Sequence, residues 1–529
     1  MHTMMKPIVW TISGSDCSGG AGIAADIKTG HALGVEVCTL ITANTVQNSR
    51  ELISVNAVPV DILQQQVDVL FFDKPPTVIK IGLLADIEQV QWLIGVITKL
   101  KHENNLVIAV YDPVGQASVG GSFHSLSLDE LTPLLKHIDV ITPNLPEAKS
   151  LAAINNSTEV LAQKIHQDFA ITSVIIKGGH GDESHSNKQE HNACVDYCLH
   201  QLNQLQGKQD NQDKNQESIS YQLNSPRLAS HYNHGGGCSF ASALATFLAH
   251  GYLIRDAFTL SKAFINQGLA VTTPLSAKQN HHYYGAFEQL SWPTQAQDFP
   301  QVTDKFNQKY QQLPAFNSLN LQGEQLGLYP VINSLYWLKR LLPLGLKIIQ
   351  LRVKNLPDDE LEQVIATAVE LAKDYDTRLF INDYWQLAIK YGAYGVHIGQ
   401  EDLANTDLTQ IQQAGLRLGI STHGCYEFLL AQQLQPSYLA IGAIFPTKTK
   451  DMTGQIQGLE NLTHLLALRP QAKAQQIPVI AIGGISLERA PEVLATGVDS
   501  IAVVTAITEA NEPEQAVAAL ITLCANELN

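Results

Sequence analysis

Residues 478–504, PVIAIGGISLERAPEVLATGVDSIAVV, contain the repeating unit that decides the fold of the second half of the chain. An apolar, β-branched run ends in two glycines, a segment with helical spacing follows, and a second apolar run closes the unit. A strand, a helix and a strand in this order are typical of a parallel sheet, because parallel neighbours need a crossover connection.

Eight such apolar runs follow one another from residue 326, with helical patterns between them: LGLYPVI, KIIQLRV, RLFIN, YGVHI, LRLGIS, YLAIGAI, PVIAIGG and SIAVV. Eight units in about 200 residues predict a compact (β/α)8 barrel, the TIM barrel. The active site of that fold lies at the C-terminal ends of the strands, so we expect the polar residues there to carry the chemistry.

The first half alternates in the same way, with strands predicted at PIVWTIS, VEVCTLITANTV, TVIKIGLL, NLVIAVYD, DVITPN and TSVIIKGG. This pattern predicts a layered α/β unit with a mostly parallel sheet. Residues 181–225 are predicted to be a polar insertion, a solvated loop between two further strands, and the irregular segment 285–322 is predicted to be a linker. We therefore expect one domain over residues 1–284 and another over residues 323–529.

Bulk properties exclude several classes of protein. The net charge of −16 argues against nucleic acid, whose phosphates recruit basic surfaces. Seven scattered cysteines are typical of a reducing compartment. The start of the chain lacks a signal-peptide pattern, and no apolar run has the length of a membrane span. We expect a cytoplasmic protein that binds neither nucleic acid nor membranes.

Three features of the first half suit a nucleotide, although each has an ordinary alternative. The glycine-rich turn TISGSDCSGGAGIAADIKT at 11–29 lets a ligand approach the backbone, but such a turn alone is weak evidence. Asn144 and Glu147 in ITPNLPEA are spaced to orient magnesium, or to form a turn that starts a helix. Lys177 in VIIKGGH ends a strand, where it meets either a phosphate or only solvent.

The stretch HGGGC opens a further predicted helix. The amides of Gly235, Gly236 and Gly237 are expected to form an anion site at the helix entrance, suited to charge developing on a γ-phosphate. Cys238 shares this positive helix end, which is expected to lower the thiol pKa and to favour a thiolate that accepts a proton from a substrate hydroxyl. The alternative is a buried structural cysteine.

Together, SGGAGIAADIKT, ITANTVQN, IKIGLL, ITPNLPEA, IKGGH and HGGGCSFASA resemble the hydroxymethylpyrimidine/phosphomethylpyrimidine kinases of the ribokinase-like superfamily, from about residue 7 to about residue 275. The resemblance implies a ribokinase-like α/β sandwich, ATP as phosphoryl donor and Cys238 as the catalytic base. It implies that Asp26 and Gln47 contact the aminopyrimidine. Gln47 is chemically suitable, since its amide both donates and accepts hydrogen bonds. It leaves open a homo-oligomer formed through this domain.

Two departures from the family pattern bear on the activity. The usual D-P-V-M-x-A-K-S-G is DPVGQASVGG at 112–121, and Gly236 replaces the threonine of G-T-G-C. These changes leave open a pyrimidine-binding module without catalysis, or a kinase for another heterocycle such as pyridoxal.

Polar residues also follow the predicted barrel strands. Arg352 and Lys354 suit a diphosphate or a solvated strand end, and Asp383 and Asp402 are placed to hold one Mg²⁺. The loop FPTKTK at 445–450 crowds hydroxyls and ammonium groups together, which favours phosphate binding over an ordinary polar turn.

The motifs QLRVK, FINDYWQLA, GVHIGQEDL, GISTH, FPTKTK, QGL, AIGGI and VVTAI resemble thiamine phosphate synthase over about residues 324–525, with Ile456 in place of the usual proline. The resemblance implies that the pyrimidine diphosphate is held by Gln350, Leu351, Arg352, Val353, Lys354, Asn382, Ser421 and Lys450. It implies that Asp383 and Asp402 bind Mg²⁺, and that the thiazole phosphate is held by Thr447, Lys448, Thr449, Gly484, Val504 and Thr505.

Both resemblances together predict a bifunctional enzyme of thiamine biosynthesis. The first half would phosphorylate 4-amino-5-hydroxymethyl-2-methylpyrimidine and its monophosphate, and the second would couple the diphosphate with thiazole phosphate, releasing pyrophosphate. A thiazole tautomerase with the same barrel is the alternative for the second half.

Overall fold

The computed structural model describes residues 5–48, 51–114, 126–179, 193–202, 218–228, 234–271, 288–321, 325–447, 456–470, 472 and 476–527. The chain forms two compact units, Met1–Asp304 and Lys305–Asn529. The segment predicted as a linker is divided between them, because residues 301–303 pair in the sheet of the first unit and residues 316–321 contact the barrel of the second.

The first unit contains one ten-stranded sheet in the order β10-β9-β8-β7-β6-β5-β4-β1-β2-β3. Its strands are β1 (Ile8–Asp16), β2 (Glu36–Gln47), β3 (Leu52–Ala57), β4 (Val78–Ile81), β5 (Ile108–Tyr111), β6 (Val140–Ile141), β7 (Ser173–Ile176), β8 (Ala193–Gln201), β9 (Ser218–Pro226) and β10 (Gln301–Thr303). The six strands from β7 to β2 in this order run parallel, and antiparallel pairs extend both edges.

Helices cover both faces of this sheet. They are α1 (Gly22–Ala32), α2 (Val60–Asp73), α3 (Ile87–Glu103), α4 (Leu128–Leu135), α5 (Leu145–Ala152), α6 (Thr158–Phe169), α7 (Gly236–Ala249) and α8 (Ile254–Ala270). Trp10 and Ile12 of β1 pack into the core beneath α2 to α6, whereas Thr11 between them bonds Asp26 of α1. Successive side chains of a strand alternate between faces, so the sheet lies between two helical layers.

The second unit is a closed barrel of eight parallel strands in chain order. They are β11 (Gly327–Ile332), β12 (Ile348–Leu351), β13 (Arg378–Asn382), β14 (Gly395–Ile398), β15 (Arg417–Thr422), β16 (Tyr438–Ile441), β17 (Val479–Ile482) and β18 (Ser500–Val503). Its helices are α9 (Lys305–Tyr310), α10 (Leu335–Leu341), α11 (Asp358–Ala372), α12 (Trp385–Tyr391), α13 (Gln400–Leu403), α14 (Leu408–Gln413), α15 (Cys425–Gln433), α16 (Gly458–Ala467), α17 (Ala490–Leu494), α18 (Thr505–Thr508) and α19 (Pro513–Glu527).

Large side chains fill the barrel. Tyr329, Phe380 and Tyr438 stack edge to face in its interior. Leu319 is buried against this cluster, and its carbonyl accepts a hydrogen bond from Arg378 at the start of β13. Residues 317–320 therefore close the barrel at the amino-terminal ends of its strands, and the carboxyl ends are where this fold binds its ligands.

The predicted fold class is confirmed in both units: a layered α/β unit followed by a (β/α)8 barrel. The two strands predicted on either side of the polar loop within residues 181–225 are present as β8 and β9, an antiparallel pair. The sequence analysis also missed β3 and β10, which are short edge strands without a continuous apolar run. No helix in the described ranges is both long and apolar enough to cross a membrane.

Candidate active sites

The candidate site of the first unit is built around a buried ion pair. Lys80 of β4 donates to both carboxylate oxygens of Asp26 at 3.0 and 2.9 Å, and the side chains are 0% and 2% exposed. Thr11 and Ser242 donate to the same carboxylate, each at 2.5 Å. Asp26 therefore anchors Lys80, and its expected contact with the pyrimidine stays a prediction.

A second ion pair lies at the ends of β5 and β7. Lys177 donates to Asp112 Oδ1 at 2.7 Å, and Thr142 donates to the same oxygen at 3.2 Å. A Cβ placed on Gly237 would lie 3.3 Å from Lys177 Nζ and 3.8 Å from Asp112 Oδ2. The predicted lysine and the glycine-rich helix entrance therefore meet, together with a carboxylate that the sequence analysis did not select.

Cys238 lies in the first turn of α7, where its side chain is half-buried. Burial raises the pKa of its thiol to about 11; the charge of Lys80 acts in the opposite direction, while Asp112 and Asp26 raise the pKa further. The expected lowering of this pKa by the helix entrance was wrong, because burial and two carboxylates outweigh the helix dipole. Without a ligand, the protonated thiol is the dominant form at neutral pH.

A buried contact between His234 and Asp16 joins the turn before α7 to the glycine-rich turn before α1. His234 Nε2 lies 2.9 Å from Asp16 Oδ2, and both side chains are buried. Asp16 also accepts hydrogen bonds from the amides of Gly20 and Ala21 at 3.1 and 2.8 Å. Gly235 has φ +77°, and a Cβ on it would collide with the carbonyl of Gly20. Only glycine fits there, which explains the first glycine of HGGGC.

Asn144 and Glu147 form a capping box at the start of α5. Asn144 Oδ1 accepts from the amide of Glu147 at 2.9 Å, and Glu147 Oε2 accepts from the amide of Asn144 at 2.8 Å. The ordinary alternative for this pair, a turn that starts a helix, is therefore what the structure contains. The main chain of Asn144 also forms an isolated parallel β-bridge with that of Lys177. This bridge places the capping box beside the second ion pair.

Gln47 ends β2 and carries an unused hydrogen-bond acceptor. Its side chain is 8% exposed, and its Oε1 is buried with no partner among the described residues. The thiol of Cys17 donates to its main-chain carbonyl at 2.9 Å. A buried amide oxygen without a donor is costly, which favours a ligand amine as its partner.

In the second unit, Asp383 and Asp402 lie together at the carboxyl ends of the strands. A Cβ placed on Gly399 would be 4.0 Å from Asp383 Oδ1 and 3.8 Å from Asp402 Oδ2. Burial and the neighbouring charge of Asp383 raise the pKa of Asp402. Lys354 Nζ lies 3.2 Å from Asp383 Oδ2, and the amide of Asn382 donates to the same oxygen.

A buried polar chain leads from β12 to β15 through the barrel. Gln350 Nε2 donates to Tyr329 Oη at 3.2 Å, which lies 2.7 Å from Tyr438 Oη. His397 contacts Tyr438 Oη through Nδ1 and Ser421 Oγ through Nε2, each at 2.8 Å. Burial lowers the pKa of His397 to about 4, so its ring is neutral at physiological pH. The predicted Gln350 and Ser421 are therefore linked through three residues that the sequence analysis did not select.

The remaining predicted residues lie at the same end of the barrel or outside the described residues. Arg352 follows β12 and is half-buried, whereas Leu351 and Val353 are buried and can offer a ligand only their main chain. Thr447 follows β16, Gly484 follows β17, and Val504 and Thr505 follow β18. Lys448, Thr449 and Lys450 lie outside the described residues.

Sequence reasoning missed Lys80, Asp112, His234 and His397. Each lies inside a quoted motif or run, but its neighbours in sequence carry no sign of its partner: Lys80 and Asp26 are 54 residues apart. Alternation along IKIGLL offered the only signal, since a lysine facing inward from a buried strand needs a carboxylate.

Comparison with known proteins divides the chain in the same way. The family model described as Phosphomethylpyrimidine kinase matches residues 16–283, just over half of the chain, and the model described as Thiamine monophosphate synthase matches residues 328–507. The thiamine-phosphate synthase of Yersinia pseudotuberculosis is 56% identical over 200 residues, which cover 38% of this chain and 91% of that protein.

Two solved structures also match the first part of the chain. The pyridoxal kinase from Staphylococcus aureus, in complex with AMP-PCP and pyridoxal, is 24% identical over 57% of this chain and 98% of its own, with a TM-score of 0.44. The phosphomethylpyrimidine kinase from Clostridium difficile is 29% identical over 50% of this chain and 99% of its own, with a TM-score of 0.38.

Proposed function

The chain belongs to the phosphomethylpyrimidine kinase family and to the thiamine monophosphate synthase family, and on that premise we propose how its residues divide the work. It is a bifunctional enzyme of thiamine biosynthesis that combines a kinase with a synthase. Both activities are transferase reactions on small molecules. The assignment of individual residues below is our proposal.

In the kinase unit, Gln47 binds the aminopyrimidine. The observation that carries this assignment is its buried Oε1 without a partner, which matches an exocyclic amine donor. Asp26 supports the site indirectly by holding Lys80, whose charge reaches Cys238. Gln47→Leu should weaken pyrimidine binding measured by calorimetry, while Gln65→Leu, at an exposed glutamine of α2, should not. Equal affinities in both variants would remove Gln47 from the site.

ATP is the phosphoryl donor in this proposal. Lys177 and the amides of Gly235, Gly236 and Gly237 would hold its phosphates, because cations and helix-entrance amides bind anions. Asn144 and Glu147 would orient the accompanying Mg²⁺ and its waters from the capping box beside Lys177. Asp112, within reach of Gly237, belongs to the same region.

Cys238 would accept the proton of the substrate hydroxyl, which requires its thiolate. Cys238→Ala should abolish phosphorylation and leave pyrimidine binding intact. Cys198→Ala is the control: Cys198 is a buried cysteine of β8, and burial alone raises the pKa of its thiol. An unchanged phosphorylation rate in Cys238→Ala would overturn this role.

In the synthase unit, Asp383 and Asp402 fit a magnesium ion. Their carboxylates converge on one point beside Gly399, and hard oxygen ligands are those that Mg²⁺ prefers. Bound there, the ion would neutralise charge on the diphosphate of the substrate. Arg352, Lys354 and Lys450 would bind the same diphosphate and stabilise the pyrophosphate as the CH₂–O bond breaks.

The buried polar chain would orient the pyrimidine in the synthase. If Gln350 donates to Tyr329, and each hydroxyl then donates to the next group, the neutral His397 accepts a hydrogen bond at Nδ1 from Tyr438 and donates one from Nε2 to Ser421. This direction gives every proton of the chain an acceptor and leaves the Ser421 hydroxyl free to donate to the ring. Asn382 would contact the same ring or its diphosphate.

The thiazole phosphate would bind between the loops after β16, β17 and β18, through Thr447, Lys448, Thr449, Gly484, Val504 and Thr505. Strand-end loops of this kind often bind phosphate through backbone amides. Asp402→Ala should stop pyrophosphate release from pyrimidine diphosphate and thiazole phosphate, and Glu401→Ala is its exposed neighbour and control. Full activity of Asp402→Ala at a fixed Mg²⁺ concentration would remove the metal assignment.

We also propose that the enzyme works in the cytoplasm. All seven cysteines are free thiols, which suits a reducing compartment. Domain limits at residues 1–284 and 323–529, and a homo-oligomer formed through the kinase unit, remain predictions for solution measurements.

A further inference from the structure

After β17, the carbonyl oxygens of the successive residues Gly483 and Gly484 each accept a hydrogen bond from another part of the barrel. The carbonyl of Gly483 accepts from the amide of Phe445 at 3.0 Å, and that of Gly484 accepts from Arg489 Nη1 at 2.9 Å. In a trans peptide the C=O and the following N–H point in opposite directions. These bonds therefore also fix the directions of the Gly484 and Ile485 N–H groups, away from Phe445 and Arg489.

Neither of these N–H groups has a hydrogen-bond partner in the part of the chain that the structure describes. Ile485 is 5% exposed, and buried main-chain donors are rarely left unpaired. Successive backbone N–H groups that lack protein partners can form an anion-binding concavity. Their position at the end of β17 matches the phosphate end of the proposed synthase site.

Arg489 also joins this turn to the loop after β16. Its guanidinium carbon lies 4.7 Å from the centre of the Phe445 ring, a cation–π contact. Gly484 has φ +64°, and a Cβ on it would lie 2.6 Å from the carbonyl of Pro446 and 2.8 Å from Phe445 Cβ. The two loops are in close contact, and one arginine touches both.

We propose that Arg489 is a positioning residue for the thiazole phosphate, and that the Ile485 N–H is a phosphate donor beside that of Gly484. Arg489 acts without touching the ligand: it holds the Gly484 carbonyl outward, which points the Ile485 N–H inward. The inference rests on the proposed function of this site, and adds to it one donor and the side chain that orients it.

The test compares Arg489→Gln, Arg489→Lys and Arg469→Gln in the full chain. Arg469 is the matched control, since it also donates to a glycine carbonyl, that of Gly497 at 3.2 Å, but before β18 at the closed end of the barrel. Loss of one hydrogen bond and one cation–π contact should raise the KM for thiazole phosphate about tenfold. The kcat and the KM for pyrimidine diphosphate should stay within about twofold, and Arg469→Gln should behave as wild type.

The lysine variant separates positioning from simple charge. Lysine keeps the charge but lacks the planar group that stacks and donates together, so Arg489→Lys should resemble the glutamine variant. A wild-type KM in Arg489→Lys, or in Arg489→Gln, would overturn the positioning role. If the wild-type chain itself fails to couple the two substrates, the proposed function fails instead, and the two failures are distinct.

A second measurement follows the Ile485 amide directly. In protein labelled with ¹⁵N-isoleucine, its signal is identified by its loss in Ile485→Val. Adding thiazole phosphate should move this signal downfield in wild type, and by less at the same ligand concentration in Arg489→Gln. No movement in wild type at saturating ligand would remove Ile485 as a donor.

Discussion

The buried ion pair between Lys80 and Asp26 predicts how much stability the kinase unit loses when Lys80 is replaced. Both side chains are buried, and Lys80 supplies two of the four hydrogen bonds that the Asp26 carboxylate accepts. Burial by itself lowers the pKa of Lys80, but the charges of Asp26, Cys238 and Asp112 outweigh it and raise the pKa. Lys80→Met would leave a buried carboxylate with only the hydroxyls of Thr11 and Ser242.

Removing one partner of a buried pair costs about 3–5 kcal/mol. At about 2 °C per kcal/mol, the kinase unit should unfold about 6–10 °C lower in a calorimetric scan. Synthase activity, measured on the same sample below that transition, reports whether the second unit is intact. The variant should also lose kinase activity, because the cation that lowers the thiol pKa of Cys238 is gone.

The double variant Lys80→Met/Asp26→Asn decides whether charge is the cause. An amide carries no net charge, its oxygen can accept from one of the two hydroxyls and its NH2 group can donate to the other, so the double variant should be more stable than Lys80→Met alone. If Lys80→Met lowers the free energy of unfolding by less than about 1 kcal/mol, or if the double variant is no more stable than the single one, the buried-pair reasoning is refuted.

Three further predictions concern activity. Since burial raises the pKa of the Cys238 thiol to about 11, the thiolate fraction and the kinase kcat/KM should rise about tenfold per pH unit between pH 7 and pH 10; a flat pH profile would contradict the thiolate as base. Asp402→Asn should reduce synthase kcat about 100-fold, read from pyrophosphate release, whereas a loss below about threefold would contradict its role. Gly484→Ala should raise the KM for thiazole phosphate at least about tenfold, because alanine is strained at φ +64° and its Cβ meets the Pro446 carbonyl; an unchanged KM would show that the turn tolerates a side chain.

The main architecture could be predicted from the sequence because parallel strands are buried on both faces and appear as apolar runs. All eight barrel strands were found this way, and so was the pairing of Asp383 with Asp402, since the carboxyl ends of parallel strands meet at one end of a barrel. Strands β3 and β10 lacked that signal, because a half-exposed edge strand is short and partly polar.

Electrostatics and side-chain partners could not be predicted in the same way. The helix entrance suggested a lowered thiol pKa for Cys238, but burial and two carboxylates from distant parts of the chain reverse the direction. Asp26 was selected from the sequence, but its ion-pair partner Lys80 lies 54 residues away and could not be identified from the local pattern. Arg489 touches the two loops only because β16 and β17 are neighbours in the barrel. Such contacts depend on tertiary structure, which the local pattern does not contain.

The central claim is that one chain carries two consecutive active sites, and one experiment tests it most directly. Purified chain receives ATP, Mg²⁺, hydroxymethylpyrimidine and thiazole phosphate, and mass spectrometry follows the pyrimidine monophosphate, the diphosphate and thiamine phosphate. Wild type should form all three in that order, Cys238→Ala should form thiamine phosphate only when pyrimidine diphosphate is supplied, and Asp402→Asn should accumulate the diphosphate. A wild-type chain that makes thiamine phosphate from supplied diphosphate but never phosphorylates hydroxymethylpyrimidine would contradict the account.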